Sequence, residues 1–352
     1  MIICILEIKF GYNLSWSNYE KLCNVSHNAE KNGFDSIWFH DHLVIPGPAP
    51  VLESFSVLSA LSTQIKNCRI GLTVADTIRR HPATLAHILL TINHISQGRS
   101  FIGIGVGESM NLAPLGLTLD KPLTRLKESI QFIKGLLNAN EKNPFNFSGK
   151  IFSAKNLFLN VDNLSDSIPP VYVGASGIKT RKITGEFADG WIPYVHSLSN
   201  YEKLFSDIKF GIKKSNRNIS NFDVVANIPI LMTNNDNDEQ KNSIKRSLAI
   251  RLLLEQNTLR DLGWTEEIPN EISQSNMVVD SSISKKLEEE ADKIPLEILE
   301  QIAIIGNTSH IVETLEKYKK IGSTHFLIKL MGNPTVDDFK KFNNNVIQVI
   351  KN

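Results

Sequence analysis

Two histidines and an aspartate stand together at the point where a short apolar segment of the chain ends. Trp38 and Phe39 complete that segment, and His40, Asp41 and His42 follow it directly. An imidazole titrates near neutral pH and is the side chain used most often as a general acid or base. His42 is therefore a candidate proton-handling residue, although a lone histidine at a strand end is more often structural. His40, two residues away on the same side of an extended chain, is interpreted as the structural member of the pair.

A second apolar segment ends in alternating glycines and an acid. Gly103, Gly105 and Gly107 are followed by Glu108, and Asn111 lies three residues further on. The run is not a dinucleotide-binding fingerprint, which needs its third glycine at a helix start and an acid about 20 residues later. We interpret these glycines as letting the backbone approach a flat ring. Gly107 and Asn111 are then candidate contacts to that ring, and Glu108 is a second candidate for proton handling.

Gly174, Ala175, Ser176 and Gly177 form a third candidate site, a turn that leads from a strand into a helix. Free N–H groups at a helix N-terminus attract phosphate, so the turn is a predicted anion site. The pattern alone is weak, because many strand-to-helix turns contain glycine and bind nothing. No metal site is predicted, since no group of histidines, cysteines and acids has convincing ligand spacing. The sequence also contains no G-x-S-x-G or Walker motif.

Short β-branched segments alternate with amphipathic ones along the whole chain, which predicts a parallel sheet with helical crossovers. Ser17 and Glu20 have the spacing of a capping box at the start of the first helix, and Gly33 ends that helix. Eight strands over this length favour a closed barrel. The predicted strands are 2–10, 36–39, 69–74, 101–105, 171–174, 190–193, 224–231 and 325–330.

Two stretches depart from the plain repeat. Residues 145–161 are predicted to form a hairpin inserted before strand five, with its turn at Ser148 and Gly149. Residues 234–295 are polar and rich in Asn, Glu and Lys, which predicts a helical insertion between strands seven and eight. This insertion is either a lid over the barrel mouth or a solvated connector. The sequence thus predicts one (β/α)8 barrel domain over residues 1–352, with its active site where the strands end.

Composition narrows the range of partners and locations. The 352 residues include 38 basic and 37 acidic side chains, so no basic face for nucleic acid or for anionic membranes is expected. The apolar first ten residues contain Glu7 and Lys9 and are too short for a signal segment or a membrane span. The cysteines at 4, 23 and 68 cannot all pair. They are interpreted as buried free thiols of a reducing compartment, which predicts a cytoplasmic protein.

In their order along the chain, these segments resemble the luciferase-like superfamily, and within it the deazaflavin-dependent branch. The glycine run that ends at Glu108 is the most specific match, and the resemblance covers nearly the whole chain. The matching stretches are 33–36 with 41–42, 70–74 with 79–83, 98–99 with 103–108, 170–177 with 188–191, and 305–308 with 322–327.

The resemblance implies a barrel that binds coenzyme F420, an 8-hydroxy-5-deazaflavin that carries a hydride at its C5 carbon. In the relatives a non-proline cis peptide bond after strand three supports the ring, and the matching bond here joins Thr73 and Val74. Asp41 and His42 match residues of the strand-two loop, and Glu108 matches the strand-four acid. The turn at 174–177 matches the loop that holds the cofactor's phosphate. Relatives are commonly homodimers through helices of the first half.

Three functions follow from this resemblance. The leading hypothesis is an F420-dependent oxidoreductase acting on a small organic substrate, similar to the methylenetetrahydromethanopterin reductases. Sugar-phosphate dehydrogenases of the branch bind the phosphate of their substrate with cations in the regions that correspond to 193–197 and 299–303 here. This chain has no cation in either segment, which argues against a sugar phosphate as its substrate. An FMN-dependent monooxygenase on the same scaffold is the second hypothesis. A non-catalytic flavin-binding barrel is the third, and the presence of Asp41, His42 and Glu108 speaks against it.

Overall fold

A computed structural model of the protein describes residues 7–161, 168–233 and 238–352. Eight parallel strands form a closed barrel, in which each strand pairs with the next in the chain and the eighth pairs with the first. This architecture confirms the predicted (β/α)8 fold. The strands are β1 (Lys9–Asn13), β2 (Ser36–Phe39), β3 (Arg69–Leu72), β4 (Ser100–Gly105), β5 (Val171–Gly174), β6 (Gly190–Ile192), β7 (Asp223–Met232) and β8 (His325–Leu330).

The first strand differs most from its prediction. Residues 2–6 of the predicted strand lie outside the described residues, and β1 continues to Asn13 rather than ending at Phe10. The extension follows from pairing, because Tyr12 and Asn13 stand in register with Ile37 and Trp38 of β2. Strands β2, β5 and β8 have their predicted bounds. Strand β3 stops at Leu72, and the short strand Ala75–Asp76 then pairs with β4.

Helices cover the outside of the barrel and its carboxyl-terminal face. The longer helices are α1 (Tyr19–Lys31), α2 (Ser54–Gln64), α3 (Pro82–Ile95), α4 (Pro122–Leu137), α5 (Ile178–Phe187), α6 (Leu198–Lys214), α7 (Asp238–Leu254), α8 (Ser281–Lys293) and α9 (Thr308–Ile321). Shorter helices are Ser109–Leu112, Gln256–Asp261, Leu296–Leu299, Val336–Phe342 and Gln348–Lys351.

The cap of α1 is one residue later than predicted. Asn18 is the N-cap, and its side chain accepts a hydrogen bond from the Lys21 amide at 2.9 Å. The capping box at Ser17 and Glu20 is therefore wrong, because a second good capping residue stands directly after the serine. Pro82 occupies the first turn of α3, where its missing N–H leaves no hydrogen bond unmade.

A two-stranded antiparallel hairpin, Phe145–Ser148 with Ser153–Leu157, precedes β5. It is held to the barrel's helical layer by Glu128 of α4. The Glu128 carboxylate accepts hydrogen bonds from the amides of three turn residues, Lys150, Ile151 and Phe152, at 2.7 to 3.0 Å. The hairpin forms a sheet of its own outside the ring of eight strands.

Between β7 and β8 the chain forms α7, Gln256–Asp261 and α8, and these helices pack on the carboxyl-terminal side of the barrel. Their apolar residues, including Leu248 and Leu287, share one hydrophobic cluster with Met110 and Val195 from the barrel loops. The Ser109 amide donates to the carbonyl of Gln274 at 3.0 Å. The insertion therefore covers the barrel mouth, which is the position of a lid.

The barrel lumen is filled by a layer of large apolar side chains. Trp38, Phe101, Tyr172, Val225 and Leu327 belong to this layer and are nearly or fully buried. The layer separates a polar cluster at the amino-terminal floor from the residues at the mouth, so chemistry at the mouth is closed off from below. Within 7–161, 168–233 and 238–352, no helix combines the length and the apolar character needed to span a membrane.

Candidate active site

The bond between Thr73 and Val74, directly after β3, is a cis peptide, as predicted. The Val74 side chain lies against the glycines of the neighbouring strands. A Cβ atom added at Gly103 or at Gly105 would lie 2.9 Å from a Val74 methyl, and one at Gly174 would lie 3.1 Å away. These glycines are needed to make room for Val74. The interpretation that Gly103 and Gly105 themselves let the backbone approach a ring is therefore wrong, and Val74 occupies that space.

His40 holds the bend that Thr73 and Val74 form. Its Nδ1 lies 3.0 Å from the Thr73 carbonyl oxygen, which identifies Nδ1 as the protonated nitrogen. Burial, followed by the positive charge of Lys329, lowers the pKa of His40 to about 3, so the ring is neutral and remains a donor on this nitrogen. His40 is thus the structural histidine that the sequence indicated.

His42 and Glu108 are brought together from β2 and β4. Asn111 orients the histidine: its Oδ1 accepts from the Leu43 amide at 2.7 Å, which leaves its Nδ2 to donate to His42 Nδ1 at 3.1 Å. The proton of a neutral His42 is consequently on Nε2, which faces Glu108 Oε2 at 3.9 Å. Glu108 Oε2 is buried and has no hydrogen bond from the described residues. Asn111, predicted as a cofactor contact, is buried, and its side chain positions His42.

Asp41 is buried beneath the loop that carries His42. Its carboxylate accepts from Arg79 Nη2 at 2.8 Å and from Arg80 Nη1 at 2.7 Å. Arg79 also pairs with Asp76. This network fixes the direction in which the chain leaves β2. Asp41, predicted to contact the cofactor, has its carboxylate engaged by the two arginines, and they were not singled out from the sequence.

The turn at 174–177 leads into α5, with Gly177 as its N-cap. Arg181 donates to the Ser176 carbonyl and is itself fixed by Asp207, 2.8 Å from Arg181 Nη2. The carbonyl thus points toward the helix. The amides of Ser176 and Gly177 donate no hydrogen bond to any described residue. Such free amides at a helix N-terminus can bind a phosphate.

Four further residues at the mouth were not found from the sequence: Tyr194, Arg251, Glu255 and Lys329. Lys329 is the one charged residue of β8. It is two residues after the lumen residue Leu327 and so lies on the same face of the strand, which could have identified it from the sequence. Arg251 and Glu255 are on or next to α7 of the insertion, where no local pattern indicates contact with the barrel. The Glu255 carboxyl lies beside Ser176, and burial raises its pKa.

The mouth therefore contains cations even though the segments 193–197 and 299–303 lack them. Arg251 Nη2 donates to the Tyr194 carbonyl at 3.2 Å, and burial raises the pKa of the Tyr194 hydroxyl to about 12. The sequence-based argument against a sugar phosphate considered only those two segments, whereas Arg251 and Lys329 come from other parts of the chain. Among the residues that the structure describes, no group of three potential ligands could hold a metal ion.

The chain is similar to known proteins along nearly its whole length. The family model for luciferase-like monooxygenases matches residues 5–325. The chain is 25% identical over 315 residues to a 5,10-methylenetetrahydromethanopterin reductase of Archaeoglobus fulgidus, covering 89% of each protein. It is 27% identical over 339 residues to an F420-dependent glucose-6-phosphate dehydrogenase of Nakamurella multipartita, covering 93% of this chain and 91% of the relative.

The fold is similar to that of an F420-dependent secondary alcohol dehydrogenase in complex with an F420-acetone adduct. The TM-score is 0.82 at 19% identity, over 97% of this chain and 99% of the other. The protein is an oxidoreductase, and its cofactor is of the flavin or deazaflavin type. With a family model that matches nearly its whole length, the chain belongs to the luciferase-like monooxygenase family.

Proposed function

We propose that the protein is a coenzyme F420-dependent oxidoreductase that moves a hydride between the deazaflavin C5 and a small organic substrate. The observation that carries the proposal is the convergence of three features at the barrel mouth. These are the bend at Thr73 and Val74, the facing pair His42 and Glu108, and the free amides of the turn at 174–177. Two relatives named for F420-linked or pterin chemistry align with about nine-tenths of the chain.

The residues present fit such a cofactor. Glu108 Oε2 is buried without a hydrogen bond from the described residues, and the amides of Ser176 and Gly177 are free for an anion. Thr73 and Val74 would support the ring, Gly107 would border it, and the turn would hold the phosphate. When bound, the deazaflavin supplies a carbon that accepts or donates a hydride.

The chain's own residues position the reaction and handle protons. His42 presents a proton on Nε2 toward Glu108, and Asn111 keeps the ring from turning. A proton can pass between His42 and a substrate heteroatom, with Glu108 stabilising the imidazolium. The insertion packed over the mouth excludes water, which protects a hydride donor and strengthens electrostatic contacts.

A methylene-pterin, which the enzyme would reduce, is the substrate class we propose first. The relative from Archaeoglobus fulgidus is a 5,10-methylenetetrahydromethanopterin reductase and aligns over almost its whole length. An assay panel of methylene-pterins, secondary alcohols and sugar phosphates with F420 tests this choice. Turnover of an alcohol or a sugar phosphate without any turnover of a methylene-pterin would contradict it.

FMN-dependent monooxygenation is the second candidate, favoured by the name of the matching family. Binding distinguishes the two, because Trp16 lies with its ring centre 5.3 Å from that of His42 and should report cofactor binding through its fluorescence. We expect F420 to quench this fluorescence at micromolar concentration and FMN to require at least tenfold more. Trp16→Phe should remove most of the signal. Tighter binding of FMN than of F420 would contradict the proposal.

We further propose that the protein is a cytoplasmic homodimer that binds neither nucleic acid nor membrane. A surface groove of about 470 Å³ between α2 and α3, in the first half of the chain, is lined by Phe55, Ile88 and four polar residues. Cys23 and Cys68 are free thiols, which supports the proposed reducing, cytoplasmic location. Light scattering should give twice the mass of 39.4 kDa, and a monomer at micromolar concentration would contradict the dimer.

A further inference from the structure

Lys329 stands where a ligand in the barrel mouth would contact it. It is the penultimate residue of β8, two residues after Leu327, which belongs to the apolar layer of the lumen. Residues two apart on a strand share a face, so the Lys329 side chain enters the lumen one layer nearer the mouth. Burial, together with the charge of Arg251, lowers the pKa of its ammonium group to about 8.

Arg251 reaches the same space from the insertion. Its guanidinium carbon lies 5.6 Å from the centre of the Tyr194 ring, and its Nη2 donates to the Tyr194 carbonyl at 3.2 Å. The same carbonyl accepts a hydrogen bond from Asn227 Nδ2 at 3.1 Å, so the group that Arg251 contacts is itself bonded to β7. Arg251 Nε is buried and has no hydrogen-bond partner in the described parts of the chain.

Neither cation is neutralised by the protein. Over residues 7–161, 168–233 and 238–352, no carboxylate forms an ion pair with Lys329 or Arg251. The charge of Arg251 lowers the pKa of Lys329, after burial as the larger cause. Two deeply placed arginines differ, since Arg79 pairs with Asp41 and Arg181 pairs with Asp207. A buried charge is costly unless a partner compensates it. The missing partner is therefore expected to be a ligand.

We propose that Lys329 and Arg251 together bind an oxyanion, a carboxylate or a phosphate, on the organic substrate. A lysine ammonium and a planar guanidinium are complementary donors for such a group. The pair lies on the β6 to β8 side, whereas the free amides at 174–177 on the β5 side are left for the cofactor. The inference rests on the proposed function only in assigning the anion to a substrate rather than to the cofactor.

Inorganic phosphate is the probe for the first test. Its dissociation constant is measured by calorimetry at constant ionic strength for the wild type, Arg251→Met and Lys329→Met. Each substitution should weaken binding at least tenfold, and Lys329→Arg should restore it to within threefold. Arg246→Met is the matched control, because Arg246 is on the same helix but is exposed and pairs with Asp292. Equal phosphate affinity in the wild type and both methionine variants overturns the proposal.

A second measurement identifies the source of the anion. Phosphate is titrated into the protein already saturated with F420, and F420 affinity is measured by fluorescence in each variant. If the pair holds a substrate group, phosphate binds the loaded protein and F420 affinity changes less than threefold. Displacement of phosphate by F420, with weaker F420 binding in Arg251→Met, overturns the assignment to the substrate. If F420 does not bind at all, the proposed cofactor is wrong, while the phosphate test still decides on the pair.

Discussion

The floor and the mouth of the barrel both contain buried charged and polar groups, but these groups are paired differently at the two ends. At the floor, Lys9 Nζ lies 3.0 Å from Asp223 Oδ1, and the Tyr172 hydroxyl donates to Asp223 Oδ2 at 2.5 Å. Beside them, His325 Nε2 and the Ser36 hydroxyl are 3.0 Å apart. These residues come from five different strands, so the cluster ties the amino-terminal end of the barrel together.

At the mouth, the cations Arg251 and Lys329 form no ion pair with a carboxylate of the described residues. Arg251 Nε and Glu108 Oε2 are buried without a hydrogen bond from the described residues, and His42 is 3.9 Å from Glu108. A closed barrel assigns stability to its floor and chemistry to its mouth. The charged groups of the floor are paired within the fold, whereas at the mouth we expect a ligand to supply the partner.

The largest expected effect is at the mouth. His42→Ala should reduce turnover on the order of 10²–10⁴-fold at saturating cofactor, the usual contribution of a general acid or base. Cofactor affinity should change much less, because the ring and phosphate are held elsewhere. Steady-state kinetics with the substrate found in the assay panel measures both.

The exposed His310 provides the control for that experiment, since His310→Ala should leave turnover unchanged. His40→Ala is a different kind of variant, because it removes the hydrogen bond to the Thr73 carbonyl and should weaken cofactor binding. Turnover within threefold of the wild type for His42→Ala would reduce His42 to a structural residue.

The floor should respond in stability and not in activity. Asp223→Asn leaves Lys9 without its anion and should lower the free energy of unfolding by about 2–4 kcal/mol, the scale for breaking a partly buried pair. Although burial opposes it, the neighbouring His325, Lys9 and Tyr172 lower the pKa of Asp223 below its usual value. Denaturant titration measures the loss. A variant as stable as the wild type would show that the floor cluster is not stabilising.

The floor and the mouth should also differ in their pH dependence. Burial, as the largest cause, lowers the pKa of His325 to about 4, below its value in the unfolded chain of about 6.5. The unfolded state therefore binds more protons between these values, and stability falls as pH decreases through that window. Thermal unfolding from about pH 7 to about pH 4 measures this loss, which His325→Gln should reduce.

Anion binding at the mouth should instead weaken as the pH rises. The pKa of Lys329 is about 8, so its positive charge is present below that pH and is lost above it. Sulfate, which does not titrate in this range, should bind about thirtyfold more weakly at pH 9.5 than at pH 6.5 if one proton is linked. Lys329→Arg should bind with little pH dependence. The same pH dependence in that variant would mean that another group titrates.

The smallest expected effect concerns the turn at 174–177. Glu255 lies beside Ser176 and repels an anion there whenever its carboxyl is ionised. Glu255→Gln should tighten cofactor binding by a few-fold, since exchange of a carboxylate for an amide removes repulsion and keeps the shape. Fluorescence titration with F420 measures the change. Unchanged affinity for F420 in the variant would place the phosphate away from this turn.

Much of the architecture could be predicted from the sequence alone. The alternation of β-branched and amphipathic segments located the strands of the barrel, and β2, β5 and β8 have their predicted bounds. Because the carboxyl ends of parallel barrel strands meet on one face, His42 and Glu108 could be predicted to approach each other from distant segments. Local periodicity reports which residues are buried and how the backbone runs.

Only the tertiary structure decided which side chains contact and position one another. The glycines of β4 make room for Val74, Asn111 orients His42, and Asp41 is held by Arg79 and Arg80. The meeting of Arg251 with Lys329 depends on how the insertion packs over the barrel. These partners are separated by tens of residues in the chain, so no local pattern contains them. The packing of whole elements sets their distances, and with those distances it determines which charges remain free for a ligand.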